Sequence, residues 1–439
     1  MAMCLKLINP VKIGQRCIST SPGFNKSHSC KLLVVGGGSG GCSTAAKFVP
    51  KFKKNEVIIV DPCDKHYYQP MFTLVGGGMK KLSETWRPMG SVLPKNALWI
   101  QDSISSFHPS SNTVKTENGD VINYEYMIVA LGISMHFENI KGLTEALSNP
   151  HSNVCSNYSP LYVDRTFDTL KKFKEGNAIF TFPNSPVKCA GAPQKACYIS
   201  EHYFDKCGKR SKANMIYKTT LPVIFAVKKY ANSLTEVCKK RNINVDFREE
   251  LIEVKSGSKE AVFKNLDKPD EIKTIDYEML HVTPPMGPPT VLKTAPELLD
   301  QAGYLNVNKE TLQHVKFKNI FGIGDCTNLP TSKTAAAVAG QGGVLFQNLY
   351  SLMQKGSLDC KYNGYTSCPL VTGYKSCILA EFDYNQQPLE TFPINQGIER
   401  YSMFLMKKDI MPFIYWKLML NGMWDGPQVF RKILHLGLK

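Results

Sequence analysis

A glycine-rich turn between two short apolar runs constrains the fold of this chain more than any other feature. The run Lys31–Val35, which contains LLVV, leads directly into GGGSGG at residues 36–41, with the spacing GxGxxG. A helix-forming stretch follows, and a second apolar run, Val57–Val60, ends at Asp61, 20 residues after Gly41. A strand, a glycine turn, a helix and a strand ending in an acid is the order of a dinucleotide-binding βαβ unit of the Rossmann type.

Each residue of this unit has a physical role in binding a dinucleotide. Gly36 permits the tight turn, Gly38 lets the backbone approach a pyrophosphate, and Gly41 lets helix and strand pack closely. The N-terminus of the helix faces the phosphates, and Asp61 accepts hydrogen bonds from ribose hydroxyls. We add the neighbouring Gly37 to the candidate contacts. The motif alone does not distinguish FAD from NAD.

A second signature resembles the second FAD fingerprint of two-dinucleotide-domain flavoproteins. The run Ile320–Ile323 closes on Gly324 and Asp325, and in those flavoproteins the aspartate binds the ribityl and phosphate region of FAD. Lys333 stands just before an alanine-rich helix, Ala335–Ala339, whose N-terminus would stabilise negative charge on a reduced flavin together with the lysine. Between the fingerprints, Met127–Gly132 is typical of the strand and turn by which the chain leaves the FAD domain. The predicted FAD contacts are Gly36, Gly37, Gly38, Gly41, Asp61, Gln69, Ile104, Gly132, Asp325 and Lys333.

The middle of the chain predicts a second Rossmann-like domain that lacks a phosphate-binding turn. We predict strands at Ala178–Phe182, Met215–Thr219 and Asn244–Phe247, and a helix at Ala226–Arg241. In NADH-using relatives the first of these strands is followed by another GxGxxG. Here it is followed by PNSPVKCAGAP, residues 183–193, whose prolines and single glycine cannot build that turn. We infer that NAD(P)H is not the electron donor.

Composition excludes several other classes of protein. The 439 residues suit two or three domains, and 43% hydrophobic with 21% charged residues is ordinary for a globular chain. No apolar stretch reaches the 18 or so residues of a spanning helix. The net charge of +16 predicts anionic partners. Because no nucleic-acid-binding motif is present, we expect anionic substrates or an anionic membrane surface.

The first 29 residues have the composition of a mitochondrial transit peptide. They contain Lys6, Lys12, Arg16 and Lys26 but no acidic residue, and residues 19–29 are rich in Ser and Thr. The first acidic residue of the chain is Glu56. The alternative is a disordered basic tail, and either interpretation removes residues 1–29 from the fold.

Two of the 14 cysteines stand in unusual surroundings. Cys189 lies in the loop rich in Pro and Gly beside Lys188, and a neighbouring cation favours the thiolate. Cys368 lies in what reads as an exposed turn beyond the second FAD motif. Cys326, next to Asp325, is predicted to be a core residue. The chain has no CxxC, which argues against zinc ribbons and thioredoxin-type centres.

Four segments together resemble the mitochondrial sulfide:quinone oxidoreductases. They are FTFPNSPVKCAGAPQKA, MLHVTPPMGPP, FGIGDCTNLPTSKTAAAVA and GYTSCPLVTGY, and the resemblance covers essentially the whole chain after residue 30. It implies that Cys189 and Cys368 are the redox cysteines, bridged at rest by a disulfide or with an extra sulfur between them. It also implies a cofactor contact at Gln69, whereas His66 is expected to be structural.

The resemblance also implies substrates and a reaction sequence. Hydrosulfide attacks the bridge, as a thiolate does in exchange chemistry, and the family assigns the resulting persulfide to Cys368. The Cys189 thiolate, which we expect Lys188 to stabilise, then passes two electrons to FAD. An acceptor such as glutathione, sulfite or coenzyme A removes the sulfane sulfur, and reduced FAD passes its electrons to ubiquinone.

The C-terminal segment predicts helices that lie in a membrane interface. Apolar runs rich in Met and aromatic residues, such as Met411–Leu420 and Val429–Leu434, are punctuated by Lys and Arg and are too short to span. The alternative is a core or dimer helix pair. Phe382, Tyr384 and Phe404 are weak candidates for the walls of a quinone channel. We expect a peripheral or monotopic location at the mitochondrial inner membrane, with inner-membrane lipid but no nucleic acid as a partner, and leave a homo-oligomer open.

The predicted fold is therefore α/β, with two Rossmann-like dinucleotide-binding domains and a C-terminal amphipathic membrane-anchoring segment. The predicted divisions are a transit peptide at 1–29, FAD-binding parts at 30–155 and 306–360, the second Rossmann-like domain at 156–305, and a membrane-anchoring and quinone-access region at 361–439. Two other functions remain open. A type II NADH:quinone dehydrogenase needs the second glycine turn, and in a flavin-bound apoptosis-inducing or scaffold protein both cysteines would be incidental.

Overall fold

The computed structural model describes residues 26–437, and the structural statements here concern that range. Its strands, in chain order, are β1 (Ser27–Val35), β2 (Val57–Val60), β3 (Lys65–Tyr67), β4 (Trp86–Pro88), β5 (Leu98–Ile100), β6 (Ile104–His108), β7 (Thr113–Thr116), β8 (Val121–Val129), β9 (Ser134–Met135), β10 (Val154–Cys155), β11 (Gly176–Phe182), β12 (Ala213–Thr219), β13 (Asn244–Phe247), β14 (Glu249–Lys255), β15 (Glu260–Asn265), β16 (Ile272–Asp276), β17 (Met279–His281), β18 (Met286–Gly287), β19 (Ile320–Gly322), β20 (Thr366–Gly373) and β21 (Ser376–Phe382).

The helices divide into longer ones that flank the sheets and short ones in the loops and C-terminal region. In chain order they are α1 (Ser39–Phe48), α2 (Phe72–Gly76), α3 (Met89–Val92), α4 (Leu143–Ser148), α5 (Val163–Lys172), α6 (Ala192–Lys206), α7 (Lys228–Lys240), α8 (Ala335–Lys355), α9 (Tyr401–Leu405), α10 (Met411–Phe413) and α11 (Gln428–Leu434). Two π-helical turns, Met406–Ile410 and Ile414–Met419, make the segment Tyr401–Met419 continuously helical.

The first domain is built on a seven-stranded sheet whose parallel part has β1 at its centre, with β7 and β6 added antiparallel beyond β8. The strands β5, β2, β1 and β8 pair in that order, and β19 joins the other edge of β8 in parallel. Leu32–Val35 are buried because a strand with parallel neighbours is covered on both faces. The predicted strand–turn–helix–strand order and the return of the chain at β19 are confirmed. The carboxyl ends of these strands meet at one edge, which is where such sheets bind ligands.

The first strand begins earlier than the sequence indicated. β1 starts at Ser27, inside the segment of residues 1–29 that we excluded from the fold, and pairs with Val121 of β8 at that position. The ordered fold therefore begins before residue 30. The predicted transit peptide otherwise lies outside the described residues.

The second domain is a parallel sheet of five strands in the order β10-β17-β11-β12-β13. β13 coincides with its predicted bounds, β11 and β12 each begin two residues early, and α7 is shorter than predicted at both ends. Residues 183–191 form the loop between β11 and α6, at the carboxyl edge of the sheet. An antiparallel sheet of β14, β15 and β16 completes the domain.

The hairpin β20–β21 joins the two domains and corrects one expectation. Cys368 does not lie in an exposed turn: it belongs to β20, pairs with Ala380 of β21 and is 2% exposed. Successive side chains of a strand point to opposite faces, so Cys368 and Leu370 face the core of the second domain, whereas Ser367 and Pro369 face the cavity described below.

The C-terminal helices carry an exposed apolar surface. Its large hydrophobic side chains are Tyr401, Ile410, Phe413, Met423, Val429, Phe430, Ile433, Leu434 and Leu436. In the described part of the chain, no helix combines the length and the hydropathy needed to cross a membrane.

Candidate active site

A single large cavity runs from the glycine turn to the C-terminal helices. Its volume is about 1090 Å³, which is at the upper end for ligand pockets and suits a dinucleotide. The predicted cofactor residues that line it are Gly36, Gly38, Asp61, Gln69, Ile104, Gly132, Asp325 and Lys333. Cys189 lines the same cavity. The structure therefore brings together, around one space, residues that lie more than two hundred positions apart in the sequence.

The glycine turn has the shape of a phosphate cradle. Gly36 has a φ of +102°, and a Cβ there would lie 2.5 Å from the carbonyl oxygen of Ala130. A Cβ at Gly38 would project into open space at the start of α1, so this backbone is free to meet a ligand. Gly37 and Gly41 do not line the cavity: a Cβ at Gly41 would collide with the carbonyl of Gly36, so its role is close packing.

The Asp61 carboxylate at the end of β2 closes this turn. Its Oδ2 accepts a hydrogen bond of 2.6 Å from the backbone N–H of Gly37, and its Oδ1 accepts one of 2.8 Å from Cys63. These two donors fix the carboxylate at the cavity wall, where ribose hydroxyls can donate to it. The glycine turn, the bare helix N-terminus and the oriented acid together fit the adenosine diphosphate half of FAD.

The second FAD motif lines the same cavity. Asp325 follows β19, and burial raises the pKa of its carboxyl group. The Lys333 ammonium donates to the backbone carbonyls of Asp325 at 2.7 Å and Thr327 at 3.1 Å. The amine of Lys333 is thus committed to this turn. The N-terminus of α8 therefore remains to stabilise negative charge on a bound flavin. This helix is capped by the Thr334 hydroxyl, which accepts a hydrogen bond from the backbone N–H of Ala337.

The two predicted redox cysteines face each other across the domain boundary. The Sγ atoms of Cys189 and Cys368 are 3.5 Å apart, although Cys189 lies in the loop after β11 and Cys368 in β20. The Cys368 thiol donates to the Cys189 sulfur, which lowers the pKa of Cys189 well below its usual range. The same hydrogen bond, together with burial, raises the pKa of Cys368. Cys189 is therefore the thiolate of the pair.

A lysine that the sequence analysis did not identify supports this thiolate. The Nζ atom of Lys195, on α6, lies 3.2 Å from the Cys189 sulfur. Burial lowers the pKa of Lys195, but the facing thiolate outweighs burial and raises it overall. Our expectation that Lys188 has this role is wrong, since the Lys188 ammonium donates instead to Oε1 of Gln69 at 2.6 Å.

The backbone of Cys189 is held in a strained conformation. Its φ is +58°, the left-handed region that residues with a Cβ seldom adopt. The Cys189 N–H donates to the carbonyl of Lys333 at 2.7 Å, and its carbonyl accepts from the N–H of Ala192 at 2.8 Å. The loop is thereby tied to the start of α8 on one side and to α6 on the other.

A second lysine reaches the site from the C-terminal region. Lys407 is 3% exposed, lines the cavity and donates to the carbonyl of Pro70 at 3.0 Å. Burial, reinforced by repulsion from Lys195, lowers the pKa of Lys407 to about 8. Neither Lys195 nor Lys407 forms an ion pair with a carboxylate in the described residues, so Lys195 serves the Cys189 sulfur and the charge of Lys407 is available to an anionic substrate.

His66 and Cys326 have the structural roles that the sequence predicted. The imidazole of His66 contacts the carbonyl of Gly37 through Nδ1 at 3.1 Å and the hydroxyl of Tyr415 through Nε2 at 2.6 Å. It thereby joins the glycine turn to the C-terminal helices. Cys326 is fully buried, does not line the cavity, and its pKa is raised by burial to about 11.

The C-terminal helices form the apolar end of the cavity. Its lining there consists largely of Met406, Ile410, Met411, Phe413, Ile414, Leu418, Phe430 and Leu434. The channel candidates Phe382, Tyr384 and Phe404 are not part of this lining: Phe382 and Phe404 are buried in the core, and the Tyr384 hydroxyl donates to the carbonyl of Lys309.

Three comparisons place the chain among known proteins. The family model described as pyridine nucleotide-disulphide oxidoreductase matches residues 30–342. The mitochondrial sulfide:quinone oxidoreductase of Mus musculus is 51% identical over 435 residues, 99% of this chain and 96% of the mouse protein. That of Dictyostelium discoideum is 44% identical over 398 residues, 90% and 87% of the two chains. The solved sulfide:quinone oxidoreductase of Aquifex aeolicus has the same fold, with a TM-score of 0.76 and 19% identity over 94% of this chain and 96% of that one.

Proposed function

The chain belongs to the mitochondrial sulfide:quinone oxidoreductase family, and we propose that it oxidises sulfide at the Cys189–Cys368 pair and delivers two electrons to a quinone. The observation that carries this proposal is the 3.5 Å approach of the two sulfurs beside the cavity that holds the dinucleotide turn. The protein is mitochondrial and binds FAD, as its family does.

The resting enzyme carries a sulfur bridge between the two cysteines. One S–S bond is about 2.05 Å long, so the 3.5 Å gap between the Sγ atoms has room for one further sulfur. A direct disulfide instead requires the two side chains to rotate toward each other. Both forms are substrates for attack by an anionic sulfur nucleophile.

Hydrosulfide opens this bridge on the Cys368 side. For a direct disulfide, the attacking sulfur forms a bond to Sγ of Cys368, the bond between the cysteines breaks, and Cys189 leaves as a thiolate. Cys368 then holds the substrate sulfur as a persulfide. The direction of cleavage follows the electrostatics of the pair, because Cys189, which Lys195 contacts, is the better leaving group.

The two buried lysines bind the anions of this reaction. Lys195 balances the negative charge on Cys189 at a distance of 3.2 Å, and Lys407 supplies a second positive charge at the wall of the same cavity. A cation in a site of low dielectric attracts hydrosulfide more strongly than one in water. No acidic side chain is needed as a base, since hydrosulfide is already the nucleophile at neutral pH.

Electron transfer links the sulfur and quinone ends of the cavity. Bound FAD supplies a two-electron relay between the Cys189 thiolate and the quinone. The residues of this chain orient it through the glycine turn, Asp61 and the α8 N-terminus. After a sulfur acceptor has taken the outer sulfur from Cys368, both cysteines are thiolates, and the bridge would form again as they give up two electrons through the bound flavin to the quinone.

The apolar end of the cavity suits the quinone, and the surface beside it suits a membrane. The apolar lining contributed by Met406, Ile410, Phe413, Phe430 and Leu434 suits the isoprenoid tail of ubiquinone. The exposed apolar surface beside it would lie in the inner-membrane interface, with lysines near anionic headgroups. Glutathione, sulfite and coenzyme A remain the candidate acceptors.

Serine substitution of each cysteine tests the proposal. We expect Cys189→Ser and Cys368→Ser to retain FAD and to lose sulfide-dependent quinone reduction, whereas Cys326→Ser, a buried cysteine outside the cavity, retains it. Sulfide-dependent quinone reduction that survives either of the first two substitutions would contradict the proposal.

A further inference from the structure

Gly191, at the N-terminus of α6, is a glycine that its own backbone does not require. Its φ of −84° and ψ of −5° lie in a region that residues with side chains also adopt. At such a position alanine stabilises the folded state relative to glycine, because glycine loses more conformational freedom on folding. The reason for a glycine must therefore lie in what surrounds it.

The neighbours of Gly191 leave no space for a side chain. A Cβ there would lie 2.6 Å from the Sγ atom of Cys368 and would collide with Cδ2 of Leu370. Both neighbours belong to β20, where they pair with Ala380 and Ile378 of β21 and are almost fully buried. The strand that carries them is held on one edge by the hairpin and is packed against α6 on its face, so it cannot move away without disturbing that packing.

The partner sulfur is fixed just as firmly from the other side. Cys189 is tied through its N–H to the carbonyl of Lys333 and through its carbonyl to the N–H of Ala192. If Cys368 were displaced, Cys189 could not follow it. The 3.5 Å approach of the two sulfurs thus depends on how closely β20 comes to the first turn of α6.

We propose that Gly191 is a positioning residue for the redox pair: its missing side chain lets the Cys368 sulfur lie against the first turn of α6, within reach of Cys189. The role of this contact in the redox reaction rests on the proposed function, whereas the contact between Gly191 and Cys368 itself is independent of that function.

A double-mutant cycle on thermal stability tests the contact without using activity. We expect Gly191→Ala to lower the unfolding temperature of the holoenzyme markedly in the wild-type background and by clearly less when Cys368→Ala has removed the sulfur, because only the collision with Leu370 then remains. Equal losses in both backgrounds overturn the proposal. A parallel cycle with Leu370→Ala measures the other contact. If Leu370→Ala restores the unfolding temperature of the Gly191→Ala protein and Cys368→Ala does not, the glycine serves core packing alone and the proposal is overturned.

The bridge itself provides a readout that a general loss of stability would not change. In air-oxidised protein unfolded without reductant, Gly191→Ala should expose two more alkylatable thiols than the wild type, because the bridge no longer forms. Sulfide-dependent flavin reduction should fall by about 100-fold, the order expected for a misplacement of about 1 Å. Gly257→Ala, in the turn between β14 and β15 where φ is not positive and a Cβ meets nothing within 4 Å, is the control and should keep the bridge.

These outcomes separate this proposal from the proposed function. If Cys189→Ser retains sulfide turnover, the proposed function fails while the stability cycle still reports the Gly191 contact. If Gly191→Ala alone does not accumulate as folded protein, its combination with Cys368→Ala should yield more folded protein, because one of the two collisions is then removed. Recovery of folded protein only with Leu370→Ala overturns the proposal, as does a Gly191→Ala enzyme with an intact bridge and wild-type turnover.

Discussion

The ammonium nitrogen of Lys195 lies 3.2 Å from the sulfur of Cys189, although the two residues belong to a helix and to the strained loop that precedes it. The loop turns back over the first turn of α6, so that a side chain six positions further along the chain faces the thiol. This arrangement makes Cys189, rather than Cys368, the sulfur that carries negative charge.

Removal of the Lys195 charge should slow flavin reduction by sulfide. A hydrogen bond to a charged group contributes about 1.5–3 kcal/mol, which corresponds to roughly a 10- to 150-fold loss for Lys195→Gln. Since the cation lowers the pKa of Cys189, its removal raises that pKa, and the acid limb of the rate should move to higher pH. Stopped-flow rates across pH measure both effects. Lys188→Gln is the control, and a shift of the limb in Lys188→Gln but not in Lys195→Gln would contradict this assignment.

Lys407 should make the affinity for sulfide depend on pH. Burial lowers the pKa of Lys407 to about 8, so the group is charged below that pH and loses its charge above it. We expect KM for sulfide to rise above pH 8 in the wild type. Arginine stays charged, so Lys407→Arg should remove this rise. Lys188, whose pKa burial also lowers to about 8, is the comparison: if Lys188→Arg removes the rise and Lys407→Arg does not, the charge at Lys407 is not responsible.

Loss of the Tyr415 hydroxyl should loosen the C-terminal helices from the glycine turn. That hydroxyl lies 2.6 Å from Nε2 of His66 and 2.7 Å from Oγ of Ser39. Its loss leaves buried polar atoms without a partner, at a cost of about 1–3 kcal/mol. Tyr415→Phe should therefore lower the unfolding temperature and speed FAD release, whereas Tyr384→Phe, which loses one exposed hydrogen bond, should have little effect on either. Equal FAD release from the two variants would refute the link.

The exposed apolar surface of α11 should drive membrane binding. Val429 and Ile433 are 66% and 65% exposed and do not line the cavity. Changing both to serine removes apolar area from the surface without altering the substrate site, so binding to vesicles with anionic lipid should weaken while reduction of a short-chain quinone persists. Leu161→Ser, at a position that is 65% exposed in the second domain, is the matched control. Co-sedimentation with vesicles measures this binding, and unchanged binding of the double variant would argue against an interfacial role for α11.

The parts of the fold that sequence predicts well are those encoded locally. The strand, glycine turn, helix and acid of the first βαβ unit are contiguous, and Gly36 and Gly41 each meet a steric requirement of that turn. The strand bounds of the second domain are close to prediction because buried parallel strands are continuous apolar runs. The exposed turn predicted around Cys368 is wrong, because that residue lies in β20 and is buried by packing that depends on distant parts of the chain.

The side chains that sequence did not assign come together through the fold. Lys188 is next to Cys189 in the chain, yet its ammonium contacts Gln69 whereas the Cys189 sulfur faces Cys368. Lys195 is six residues away, and α6 brings it back to the sulfur. One signal for it was present, since a lysine among the buried residues Ala196, Cys197 and Ile199 is unusual. Lys407 comes from the C-terminal region, and no local pattern connects it with the cysteines.

The most direct test of the central claim is an anaerobic flavin spectrum of the purified protein, with sulfide added to one sample and NADH to another. We predict that sulfide alone bleaches the flavin absorbance, that a short-chain ubiquinone restores it, and that NADH does nothing, because residues 183–191 form no dinucleotide turn. The Cys189→Ser protein, with its flavin still bound, should not respond to sulfide. Bleaching by NADH but not by sulfide would contradict the account and favour an NADH:quinone dehydrogenase.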